Sequence, residues 1–288
     1  ARDWLSGRTN IIGYCDIEIV ARILADNLFY EEAINLLLYL NKSNYNQEEK
    51  ITLWIAKCQY GMGNHKGALQ TLQSLGSCSS DESHLIRGKI LVDLRQLSDA
   101  ESFLVSALQI YFEEACNQPK YDYYGNQEGP QSFPNSSVVS LSKLSACSRL
   151  DVLQHPTLGV LKCIESLAKL YEEKYENKVA DEYFKKYQSM FQHLYGNNSL
   201  VPAAAHGYFV LGLASHHKER YAEAEQLYNR SLQTYQQIYG ESADHPAIAR
   251  LYKEMGQNLV TLQNHTAAKH YLQMSLDMYR RLYGDNSD

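Results

Sequence analysis

Apolar residues along this chain fall mostly three and four apart, the spacing that gathers them on one side of a helix. The stretch Tyr208 to Ser215 shows it well: Tyr208, Leu211 and Ser215 share one face, with Gly212 on the same side. A polar turn, His216 to Arg220, follows, and then a second stripe of Ala224, Tyr228 and Ser231. This predicts two antiparallel helices, A and B. Small residues at 212 and 224 let the backbones approach, and large ones at 208, 211 and 228 fill the groove between them.

The same pattern recurs along the chain. Tyr195-Gly196, Tyr239-Gly240 and Tyr283-Gly284 repeat at a spacing of 44, as do Ala180, Ala224 and Ala268. Leu167, Leu211 and Met255 keep that register, followed by Ala168, Gly212 and Gly256. The turn positions Tyr175, Glu219 and Gln263 do not match one another, which predicts a loosely constrained connection. Earlier copies are more closely spaced: Ala33, Ala68 and Ala100 stand 35 and 32 apart, with Ala21, Ala56 and Gly88 in the small helix A place. Six hairpins account for most of the chain.

Ala100 and Ala180 stand 80 apart, about twice the spacing that one hairpin needs. The third helix B is expected to run long, through Ala115. Residues 117–137, rich in Pro, Gly and polar side chains, are expected to form a loop insertion. Its tyrosines Tyr121, Tyr123 and Tyr124 leave two readings open: a tolerated insertion, or a ligand-like or modifiable segment. Val138, Val139, Leu141, Leu144 and Leu150 predict a short linking helix over 138–156. The expected organisation is three hairpins in 1–116, the insertion, the linking helix, and three longer hairpins in 157–288. Gly284 to Asp288 matches Gly240 to Asp244, so the array is expected to continue beyond it.

Composition narrows the function. With 44% hydrophobic and 21% charged residues the chain is a folded protein rather than a disordered one. A net charge of -6 gives no broad basic face for nucleic acid. No apolar run is long enough to cross a bilayer. The opening residues Ala1 to Asn10 mix charges with Trp4 and hold no signal core. Six scattered cysteines fit reduced thiols in a cytoplasmic protein better than a disulfide framework. Asn229-Arg-Ser231 and Asn264-His-Thr266 fall inside predicted hairpins and read as chance glycosylation triplets. Gly61 to Gly67 lacks the Lys-Ser/Thr ending and the preceding strand of a phosphate loop. His216-His217 has no further ligand at metal spacing, and no residue set fits a catalytic site. The chain is therefore expected to be a non-enzyme without metal or cofactor.

The run of a large residue, Leu-Gly, Ala twelve residues later, then an aromatic and a small residue resembles the tetratricopeptide repeat family. Tyr208, Leu211, Gly212, Ala224, Tyr228 and Ser231 carry it, and Tyr252, Met255, Gly256, Ala268, Leu272 and Ser275 follow suit. The long units ending in Tyr-Gly and restarting at His245-Pro246 resemble the kinesin light chain type. They depart from it where that type carries Asn, at Glu165-Ser166, Phe209-Val210 and Lys253-Glu254. The resemblance implies an all-α fold, a right-handed superhelix of helical hairpins whose concave groove is lined by helix A.

Carried over by the small residue of each helix A, the resemblance places Arg22, Lys57, Lys89 and Lys169 in one groove column. Lys50, Lys162, His206 and Arg250 fall in another. Leu53, Phe209, Lys253 and Tyr60 complete the set. Such a groove would grip an extended or helical partner segment with acidic side chains or a free carboxylate, with Tyr60 and Phe209 as apolar anchors. The alternative is that the cations solvate an open face or pair with Glu18, Glu82 and Glu165. At the level of the whole protein, two roles stay open. One is a scaffold or adaptor; the other is a regulatory or sensor region contacting another domain of its own chain.

Overall fold

The computed structural model describes residues 14–26, 29–42, 48–75, 80–117, 120–121, 127–128, 157–196 and 199–284. Among them stand twelve helices that alternate as A and B of six hairpins. They are α1 (Tyr14–Asp26), α2 (Tyr30–Lys42), α3 (Glu48–Gly61), α4 (His65–Ser74), α5 (Asp81–Asp93) and α6 (Leu97–Asn117), then α7 (Leu158–Glu173), α8 (Asn177–Tyr195), α9 (Pro202–His217), α10 (Tyr221–Tyr239), α11 (Pro246–Thr261) and α12 (His265–Tyr283). The fold is an all-α solenoid of sequential hairpins. Helix α6 runs on to Asn117, as its apolar pattern implies. Within the expected loop insertion, Lys120–Tyr121 (β1) pairs antiparallel with Gln127–Glu128 (β2). That short ladder was not foreseen, because the Pro and Gly of the segment masked its tyrosine-rich strand propensity. The linking helix expected over 138–156 lies outside the described residues.

The chain divides into two compact units, one of residues 1–155 with 166–180, the other of 156–165 with 181–288. In the first, α3 packs on the preceding hairpin: Ile51, Ile55 and Cys58 share a core cluster with Ala21, Leu36, Leu37 and Leu40. Ala56, Ala68 and Leu72 form the next cluster with Ile86 and Ile90 of α5. In the second unit tyrosine and phenylalanine fill the space that leucine fills in the first: Tyr187, Phe191 and Tyr228 are fully buried. Burial pushes the phenols of Tyr187, Tyr228 and Tyr235 well above their ordinary range.

Small residues set the distance between helices. A methyl group on Gly212 would meet the Tyr228 ring at 2.5 Å, and one on Gly207 would meet the Phe191 ring at 2.1 Å. Ser231 Oγ donates to the Ala205 carbonyl at 2.8 Å, and Ser275 Oγ to the Ala249 carbonyl at 2.7 Å. The repeated small residue of helix B is thus a buried bond to the backbone of its own helix A.

Helix ends explain the other repeated signals. Asn64, Ser80, Asn264 and His245 cap their helices by accepting from backbone N–H groups. Pro202 and Pro246 open α9 and α11 without wasting a donor. The glycine of each Tyr-Gly pair takes positive φ just after helix B: 57° at Gly196, 97° at Gly240 and 85° at Gly284.

The A–B turn corrects the sequence reading. Arg95, Tyr175, Glu219 and Gln263 all have φ of 60–61°, five residues before the helix B alanine, and Gly63 stands there with φ 77°. The backbone is tightly constrained at this point, and its residue type varies because the side chain is exposed. A non-glycine residue there carries left-handed strain. Gly63→Ala is therefore expected to lower stability by about 1 kcal/mol in urea unfolding, although nothing lies within 4 Å of the added methyl. Gly63→Asn is expected to cost less than half as much.

Candidate functional site: the outward row of helix A

In the first unit the predicted groove residues form a ladder of contacts rather than a row of free cations. Lys50 pairs with Glu18 at 3.0 Å, and Lys57 pairs with Glu82. The Tyr60 hydroxyl donates to Asp93 at 2.8 Å, and Lys169 reaches the other Asp93 oxygen at 3.0 Å. Each pair joins one helix A to another, so the pairing alternative describes Lys50, Lys57 and Lys169. Lys50 and Lys169 remain about half exposed, and such pairs contribute at most about 1 kcal/mol each. Lys89 makes no ion pair among the described residues.

Trp54 is the centre of this face. The Arg22 guanidinium carbon lies 5.2 Å from its ring centroid and the Lys57 ammonium 3.9 Å. The ring's negative face holds both cations in place. Trp54 stands three residues before Lys57, a spacing that brings two side chains together on a helix; that was the available signal for it. Asp93, four residues after Lys89, could have been found in the same way.

In the second unit the Arg250 guanidinium carbon lies over Phe209, 5.0 Å from its centroid, and His206 lies beside the same ring. His206 Nε2 is 3.2 Å from Glu165. Lys162 and Lys253 are exposed on α7 and α11. His216 bonds Asn258 at 2.9 Å, and Asn258 donates to the Tyr221 carbonyl at 3.0 Å, which closes the A–B turn rather than opening a contact surface.

Two expectations change here. Leu53 is 7% exposed and Phe209 4%, so neither is an open anchor. Lys253 holds the same place on α11 and is exposed, so burial there differs from one hairpin to the next.

Asp93 also titrates abnormally. Burial would raise its carboxyl, but the Tyr60 hydrogen bond and the Lys169 ammonium hold it below the ordinary 3.8. A depressed acid adds stability above its unfolded value and loses it as pH falls through its folded value. Asp93→Asn is expected to flatten the loss of stability below about pH 4, read as the change in urea midpoint between pH 5 and pH 3 in roughly constant salt.

The tetratricopeptide repeat family model matches residues 203–281, which hold nearly all of α9 to α12. No curated protein matches the chain. Among solved structures, BtubC (BKLC) from P. vanneervenii is similar over 92% of this chain and 94% of its own, with TM-score 0.50 and 13% identity. That likeness is one of fold. The C-terminal part of a TPR repeat-containing protein from Cytophaga hutchinsonii aligns over 94% of this chain and 96% of its own, at 17% identity and TM-score 0.31. The family match covers the last two hairpins, and the same small-residue register runs through all six.

Proposed function

We propose that this chain is a non-catalytic protein-interaction scaffold that holds acidic side chains or a free carboxylate of a partner segment against the outward faces of its A helices. Tetratricopeptide repeats are in general protein-interaction modules, and fold alone does not name the partner. The observation that carries the reading is the pair of guanidinium groups held over aromatic rings, Arg22 over Trp54 and Arg250 over Phe209. A guanidinium lying against a ring keeps its rim N–H groups free for a carboxylate, and its stacking reduces the ordering cost of binding. Lys89 and Lys253 supply further positive charge on the same faces. The ion-paired lysines matter less, since a ligand must displace Glu18, Glu82 or Asp93 to reach them.

A short peptide of alternating Glu and Leu, with a free carboxyl end, is the probe. Its binding is expected to weaken at least about tenfold in each of Arg22→Glu and Arg250→Glu, and to fall with added salt. Lys66→Glu and Lys178→Glu, exposed on B helices, are expected to leave it within about twofold. Equal losses from both pairs of variants would contradict binding on the A helices.

A further inference from the structure

The connection between the fifth and sixth hairpins carries a histidine with two tasks at once. His245 is the N-cap of α11, and its Nδ1 accepts from the Ala247 N–H at 3.2 Å. Its ring also stacks on Tyr239 of α10, with centroids 4.4 Å apart and planes 14° apart, and lies 6.1 Å from the ring of buried Tyr235. The imidazole therefore ties the start of α11 to the last turns of α10. The preceding helix A has no such tie: Val201 stands at the N-cap of α9, just before Pro202, and makes no side-chain cap bond.

Only the neutral imidazole can fill the cap. An Nδ1 that accepts has no proton, so the proton of the neutral ring is on Nε2. Protonation turns Nδ1 into a donor aimed at another donor, the Ala247 N–H, and the bond is lost. It also sets a positive charge at the positive end of a helix. The surrounding charges do not offset this. Asp244, the neighbouring residue, is held by Arg281 of α12 through three contacts of 2.7 to 3.0 Å. Arg250 of α11 and Glu165 of α7 act on Tyr235 with opposite sign. From α10 come the uncharged rings of Tyr235 and Tyr239. Their faces attract a cation, but burial prevails and holds the imidazole below its ordinary 6.5.

We propose that His245 is a pH-operated latch: protonation of Nδ1 releases the first turn of α11 and loosens the joint between the fifth and sixth hairpins. A base whose folded-state pKa is depressed adds stability above its unfolded value, and that stability is lost as pH falls from there through the folded value. The joint is closed above about pH 6.5 and loosens below it. The latch needs no ligand, so it stands apart from the peptide-binding reading.

Hydrogen exchange over residues 240–252, read by mass spectrometry at about pH 7.5 and about pH 5.5, tests this, with each rate divided by that of the unfolded chain at the same pH. His245→Asn is the control, because Asn is a favoured cap that does not titrate; unchanged helical circular dichroism verifies its fold. Protection of the parent is expected to fall about fivefold between the two pH values, the effect of one side-chain cap, and that of the variant to change less than about twofold. The His245 ring C–H resonance, followed by NMR, is expected to titrate with a midpoint below about 6.5. The proposal is overturned if parent and variant lose protection equally, if the parent gains protection at the lower pH, or if the ring titrates at or above about 6.5.

Discussion

The constraint on which the structure rests is the contact between a small residue of helix A and a large residue of helix B. In the second unit Gly212 faces the ring of Tyr228, and Gly256 faces Leu272; in the first, Gly88 faces Leu104. Cores of this density leave no room for an added methyl against a buried ring. The contact does more than fill space. It fixes the rotation of helix A, so that the residue just after the small one turns away from helix B. Arg22, Lys57, Lys89 and Lys169 all hold that place, and the outward row is a consequence of the hairpin's packing.

What the row does with its charge follows from spacing. Consecutive A helices bring the cations of one within reach of the acids of another, and Lys50 with Glu18, or Lys169 with Asp93, take the available partners. Two guanidinium groups lie over aromatic rings instead, Arg22 over Trp54 and Arg250 over Phe209. In the first unit the row is therefore mostly a ladder of paired charges and not a uniformly basic face.

Much of this was legible in the residues. The alanines of helix B, the Tyr-Gly ends and the His-Pro start mark the hairpins because each serves a fixed geometric need: close approach, a positive φ at the helix exit, a helix entry lacking a donor. The A–B turn was misread for an instructive reason. Arg95, Tyr175, Glu219 and Gln263 share one backbone conformation, yet an exposed side chain leaves no trace of that in residue type. Leu53 and Phe209 were placed outward because a linear count assigns a position, while burial depends on what the neighbouring helix presents. Asp93 and Trp54 were missed because their roles come from pairings between helices. The ladder of β1 and β2 was hidden by punctuation residues around it.

The central claim, that the small-to-large contact governs the hairpin, is tested most directly by comparing Gly212→Ala with Gly256→Ala in urea unfolding. The methyl of the first would strike the buried Tyr228 ring, and that of the second the partly exposed Leu272 side chain, which has room to rotate. Both gain about 1 kcal/mol of helix propensity. The account predicts a net loss of about 1–3 kcal/mol for Gly212→Ala, and a stability within about 1 kcal/mol of the parent for Gly256→Ala. A Gly212→Ala chain as stable as the parent, or more so, would contradict it.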